Sequence, residues 1–121
     1  MRHALPAVLI LALSGCALPQ DAPAPAPVSI QAEAAMRGSQ IARASCASCH
    51  AVGVADESPL AAAPPLREVA RRRDLSALEA DFAQGLVTSH PDMPAFVWRA
   101  AEIDDLIAYL ESLRVEAASR D

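Results

Sequence analysis

Residues 46–50 read Cys46-Ala47-Ser48-Cys49-His50, two thiols and an imidazole within five positions of a 121-residue chain. This cluster restricts the fold more than any other segment, because whatever engages all three side chains must sit against one short turn. Three chemistries use such a cluster. A thioredoxin-like redox pair also reads C-x-x-C, but it belongs to an α/β pattern with a flanking strand, and no run of alternating β-branched residues is present. A zinc site takes four ligands, usually with a second close pair; downstream only His90 and carboxylates remain to supply one. Covalent attachment of a c-type haem uses C-x-x-C-H itself. Two thiols three positions apart reach the two vinyl groups along one porphyrin edge, and the adjacent imidazole is then held under the iron. The motif is read in this last sense: one haem c bound through Cys46 and Cys49, with His50 as the proximal iron ligand.

The third cysteine has a separate explanation. Met1-Arg2-His3 is a short basic start, and residues 4–13 are an apolar run interrupted only by Pro6. The run is too short to span a bilayer, which takes about 20 residues, and has the shape of a secretory signal. It ends in Leu13-Ser14-Gly15-Cys16, which resembles the lipobox of bacterial lipoproteins. Cleavage before Cys16, with a lipid on its sulfur, is the expectation, so residues 1–15 are a lipoprotein signal peptide. Haem attachment in bacteria occurs outside the cytoplasmic membrane, so the export signal and the C-x-x-C-H motif require each other. Residues 19–27 read Pro-Gln-Asp-Ala-Pro-Ala-Pro-Ala-Pro. Alternating Ala-Pro favours extended polyproline II at about 3.1 Å per residue. Residues 16–28 are therefore expected to form a lipid-anchored tether, and residues 29–121 the folded domain.

That domain has unusual material for a core. The chain has 28 alanines, four aromatic residues and four glycines. Alanine is the best helix former but buries little area. The expected fold class is all-α, with four or so helices. Ser29 is placed as the cap of a first helix over 29–45, with Ala34, Gly38, Ile41 and Ala42 on one face. Gly38 weakens a helix, so a close helix crossing is the reason expected for it. A short helix is expected over 66–72 and another over 77–84, the latter with the capping-box spacing of Ser76 and Glu79 at its start and Gly85 at its stop. Ile103, Leu106, Ile107, Leu110 and Leu113 mark an amphipathic helix of about 14 residues over 99–113.

The iron needs a second ligand if its sixth position is to be filled. After His50 the only methionine is Met93, within Pro91-Asp92-Met93-Pro94. Pro94 fixes the backbone beside the thioether. The competing arrangement makes His90 the ligand and Met93 a packing residue.

Taken in order, these elements resemble a class I monohaem cytochrome c over residues 31–113. Gly38 stands eight residues before Cys46, as the family's first-helix glycine does. Ala63-Pro64-Pro65-Leu66 is similar to the family's Gly-Pro-x-Leu, with Ala63 in place of the usual glycine. Residues 88–96, with their Met-Pro, are similar to the family's ligand loop. The resemblance implies His/Met ligation by His50 and Met93, and a Pro64 carbonyl that accepts a hydrogen bond from the His50 ring. It also implies N- and C-terminal helices that cross. Trp98 and Arg99 are placed beside a haem propionate.

The implied function is one-electron transfer by a membrane-tethered carrier facing the bacterial periplasm, not catalysis on a small-molecule substrate. Its partners are redox proteins, and the membrane through the lipid on Cys16. The net charge of −5 argues against nucleic acid as a partner. Two alternatives stand beside this: a haem relay subunit of a respiratory or dehydrogenase complex, and a haem gas sensor or peroxidase with a labile sixth ligand. All ten basic residues are arginine, so the lysine-ringed docking face of mitochondrial-type cytochromes is absent. Arg67, Arg71, Arg72 and Arg73 form either a docking patch or a solvated helix face.

Overall fold

The computed structural model describes residues 28–85 and 93–119. They form four α-helices: α1 (Ile30–Ser45), α2 (Leu66–Arg72), α3 (Leu75–Ala83) and α4 (Ala100–Ala118). No strand occurs among the described residues. The all-α expectation therefore holds, and so do the positions of α1 and α2. The expected signal peptide, the expected Ala-Pro tether and Cys16 lie outside the described residues, as do His90 and the first part of the expected ligand loop.

The long helices α1 and α4 cross and make the principal packing contact, with α2 and α3 packed on α4. The crossing is close at Gly38. A Cβ built there would lie 1.9 Å from the Asp105 carbonyl oxygen and 2.8 Å from Tyr109 Cβ. Only a residue without a side chain lets the two backbones meet at this distance. Beside the crossing, Arg37 donates to Asp105 through Nε at 2.8 Å and Nη2 at 2.7 Å, a two-pronged ion pair between the helices. The guanidinium holds the Asp105 carboxyl below its ordinary range, chiefly by that hydrogen bond.

Helix α4 supplies most of the core. Ile103, Leu106, Ile107, Leu110 and Leu113 are all buried, and Leu106, Leu110 and Leu113 are essentially without solvent contact. These are the residues the 3–4 spacing selects. Ala42 from α1, Leu66 and Ala70 from α2, and Leu75, Leu78 and Phe82 from α3 complete the cluster.

Two helix boundaries differ from expectation. Helix α3 begins at Leu75, because Asp74 caps it: its carboxylate accepts from Ser76 N at 2.9 Å and Ser76 Oγ at 2.7 Å. An aspartate satisfies an orphan N–H as well as a serine does, so the helix starts two residues before the Ser76 spacing suggests. Its end agrees: Gly85 takes φ +75° just past the last turn. Helix α4 runs to Ala118, five residues past Leu113. The extension carries no Pro or Gly, and Arg114 fastens it by donating to Ala70 O at 2.9 Å and Arg73 O at 3.1 Å. At the N-terminal end of α4, the Glu102 carboxylate accepts from Arg99 N at 2.9 Å and from the Arg99 guanidinium at 2.8 Å.

Gly38→Ala should destabilise the folded protein by about 1–3 kcal/mol, as overpacking does, despite the better helix propensity of alanine; chemical denaturation measures it. A stabilised variant would show that the crossing yields freely. A second expectation concerns acid. Hydrogen bonds from Arg99 hold Glu102 down to about 2 from 4.5, and Arg37 lowers Asp105 from 3.8. Depressed folded-state values mean stability present above the unfolded values and lost as pH falls through the folded ones. Thermal midpoints should therefore drop between about pH 4.5 and pH 2, and Glu102→Gln should flatten part of that drop.

Candidate functional site

The motif emerges from α1 without a break. Cys46 is the helix C-cap, its N–H bonded to Ala42 O at 2.8 Å. Cys49 N and His50 N both donate to Cys46 O, at 3.1 and 2.9 Å. One backbone carbonyl thus gathers the turn and brings both thiols and the imidazole to the same side. The segment after it is fastened at several points. Ala51 N donates to Ser58 Oγ at 2.9 Å, and the Tyr109 hydroxyl of α4 donates to Val52 O. Leu60 N donates to Cys49 O at 3.1 Å, and Leu66 N to Ala51 O at 2.9 Å.

This folding-back of residues 51–66 sets the His50 ring. Its Nδ1 lies 2.6 Å from the Pro64 carbonyl oxygen. A carbonyl can only accept, so Nδ1 carries the proton of this bond, and in the neutral ring the lone pair is then on Nε2. That is the tautomer a metal ligand needs, and a carbonyl partner on the distal nitrogen both orients the ring and raises its basicity. The bond that the resemblance implied for Pro64 is thus present, and Ala63, at the usual glycine position, is buried beside it.

The turn borders a cavity of about 390 Å³. Cys46, Cys49 and His50 line it, with Met93 and Pro94; Leu106 and Leu110 of α4 contribute apolar wall. Met93 is partly buried and packed against the hydrophobic core. Burial pushes the Cys46 thiol up to about 11, so it is a neutral thiol at physiological pH. Cys46 and Cys49 are free of any disulfide. An apolar cavity with two adjacent thiols, a ring nitrogen lone pair and a thioether suits a flat apolar macrocycle with a central metal. It suits a hard-cation site poorly, and among the described residues no group of three or more His, Cys, Asp or Glu side chains is arranged to hold a metal ion by itself.

Three of the four aromatic residues also border this cavity. Phe82 meets Trp98 edge-on, with centroids 5.1 Å apart, and Phe96 stacks on Trp98 at 4.9 Å. Composition shows that aromatics are few, but not that they concentrate here, since they come from α3 and from the segment before α4. Trp98 lines the cavity, whereas Arg99 does not: its guanidinium is paired with Glu102. Two arginines of the 67–73 cluster, Arg72 and Arg73, line the cavity together with Glu68. Each of the four arginines has an intramolecular partner. Arg67 donates to Asp56 O, Arg71 and Arg72 pair with Glu68, and Arg73 pairs with Asp81. Spacing offered a signal for part of this, since Leu66, Val69 and Arg73 fall at i, i+3 and i+7.

Among known proteins, the family model described as Cytochrome c matches residues 35–114. Cytochrome c-552 of Bradyrhizobium diazoefficiens is 39% identical over 77 residues, covering 64% of this chain and 72% of its own length. No solved structure matches the chain. The matched span begins within α1, contains the C-x-x-C-H turn and Met93, and ends in α4 at Arg114, so it takes in the helix crossing and the cavity between. The chain belongs to the cytochrome c family, whose members carry covalently bound haem c.

Proposed function

We propose that the chain is a lipid-tethered, periplasm-facing electron carrier in which Cys46 and Cys49 hold the haem and His50 and Met93 ligate its iron. The observation that carries this reading is the His50 Nδ1–Pro64 O contact of 2.6 Å at a cavity that both thiols and Met93 also line. The bound haem supplies one-electron cycling between ferric and ferrous iron. The protein's part is to bind, orient and shield. The carbonyl of Pro64 holds the His50 ring in the ligating tautomer. Pro94 limits the backbone freedom of Met93. Leu106, Leu110, Phe82 and Trp98 keep water from the buried side. An imidazole with a thioether raises the potential relative to two imidazoles, and a filled sixth position opposes gas binding and peroxide chemistry.

The anchor is argued from the chain's start. Leu13-Ser14-Gly15-Cys16 after a short apolar run supports lipid attachment at Cys16, and the Ala-Pro segment supports a spacer of roughly 30 Å. No helix among the described residues is long and apolar enough to cross a membrane. Weak, transient contacts with redox partners suit such a carrier.

A redox-titrated optical spectrum of the membrane fraction tests ligation and carrier function together. The expected result is a reversible one-electron transition with a six-coordinate His/Met spectrum that binds no carbon monoxide. Met93→Ala should abolish the weak red-end absorption of the ferric form, lower the potential and open the iron to carbon monoxide. An unchanged spectrum in that variant would assign the ligand elsewhere, with His90 as the next choice. Metabolic labelling with a fatty acid should mark the wild type and not Cys16→Ser; label retained in the variant would remove the tether from the proposal.

A further inference from the structure

Tyr109 is the chain's only tyrosine, and the apolar stripe of α4 does not account for it. Ile103, Leu106, Ile107, Leu110 and Leu113 fill the core from that helix, and a phenylalanine beside them would pack as well. What the phenol adds is its hydroxyl, which donates to Val52 O. The ring leaves α4 at the tightest point of the helix crossing, where a Cβ on Gly38 would meet Tyr109 Cβ at 2.8 Å. Its base is therefore fixed by the crossing and its tip by a carbonyl 57 residues away in sequence. Burial pushes the phenol above its ordinary range, so the hydroxyl keeps the proton it donates.

Val52 lies two residues past His50, and the residue between them is held on both sides. Ala51 N donates to Ser58 Oγ at 2.9 Å, and Ala51 O accepts from Leu66 N at 2.9 Å. Leu66 in turn lies two residues past Pro64, whose carbonyl oxygen is 2.6 Å from His50 Nδ1. His50, Ala51, Leu66 and Pro64 thus form a closed frame of chain and hydrogen bonds around one imidazole. The Tyr109 hydroxyl ties that frame to α4, the helix whose Leu106 and Leu110 wall the cavity. A phenol is a rigid arm with only two side-chain torsions, so it sets a spacing between the frame and the helix.

The geometry points to Tyr109 as a positioning residue for the proximal imidazole: its hydroxyl holds Val52 O, fixes residues 51–52 against α4, and so keeps the His50 ring at hydrogen-bonding distance from Pro64 O. This rests on His50 ligating the haem iron, as proposed above. Tyr109 does not line the cavity, so its effect reaches the iron through the ring. A well-held bond from Nδ1–H to a carbonyl raises the basicity of a ligating imidazole, and a more basic ligand favours ferric iron. Loosening residues 51–52 weakens that bond and raises the reduction potential.

The test uses the holoprotein. Tyr109→Phe keeps the ring and removes the donor. Its midpoint potential should rise, and the His50 Nδ1–H proton, followed by NMR in the diamagnetic ferrous form, should exchange faster with solvent. Replacing Tyr109 by p-aminophenylalanine returns a donor to the tip of the ring and should bring both readings back toward wild type. Leu113→Ala truncates the core away from the cavity, so it should lower the denaturation midpoint and move neither reading. An unchanged potential and exchange rate in Tyr109→Phe, with an intact His/Met spectrum, overturns the assignment. Equal shifts in Leu113→Ala also overturn it, because they mean a general loosening of the domain. A wild type in which His50 is not an iron ligand instead overturns the ligation beneath it.

Discussion

The contact of Gly38 with the backbone of α4 at Asp105 governs where everything else in the domain can lie. Cys46 sits two turns after Gly38 at the end of α1, and the leucines that wall the cavity sit on α4 just beyond Asp105. Bringing the two backbones together at that point fixes the C-x-x-C-H turn relative to Leu106 and Leu110. The Arg37–Asp105 pair then resists sliding along the crossing, and the Tyr109 hydroxyl reaches from α4 to Val52 on the far side of the turn. A side chain at position 38 would push on backbone, which has nowhere to go, so the effect would pass to the motif.

A second constraint operates on the chain between the motif and α2. Residues 51–66 must reverse direction in a short span, and they do so through bonds made back to the motif and the residue after it: Ala51 N donates to Ser58 Oγ, Leu60 N to Cys49 O, and Leu66 N to Ala51 O. The reversal delivers the Pro64 carbonyl to the His50 ring. Ring orientation is therefore a product of loop geometry more than of helix packing. The same reversal leads into α2 and carries Arg72 and Arg73 to the cavity.

How much of the fold is legible in the sequence follows from which signals are local. Ser29 as a cap, Gly85 as a stop and the 103–113 stripe are read within one or two turns of chain, and they match. The close crossing at Gly38 was legible because a glycine in an alanine-rich helix needs a reason. The Asp74 cap is masked in the sequence by the Ser76–Glu79 spacing two residues on, a rival signal of the same kind. The apolar stripe stops at Leu113, but Arg114 continues the helix through bonds to Ala70 and Arg73, whose carbonyls are more than 40 residues away in sequence. The cavity faces of Phe82, Trp98, Arg72 and Arg73 were hidden for the same reason. Each depends on how elements from different parts of the chain converge, and periodicity within one helix says only that a face is buried, not what it is buried against.

Core and cavity are also built from the same atoms. Leu66, Leu78, Phe82, Leu106 and Leu110 belong to the hydrophobic cluster and also line the cavity. A domain of this size has little buried area to spare, and alanine-rich helices contribute less of it per turn than leucine-rich ones. Apolar surface on a cofactor held here would pack directly against the residues that hold α2, α3 and α4 together. Cofactor attachment and folding are then one thermodynamic problem, because anything that binds only the folded state stabilises it. The scarcity of aromatics takes on a different meaning in that light. Phe82, Phe96 and Trp98 are gathered against the cavity, where flat rings suit a flat macrocycle. Among the described alanines only Ala42, Ala51, Ala63, Ala70 and Ala108 are buried, so alanine adds little bulk of its own beside them.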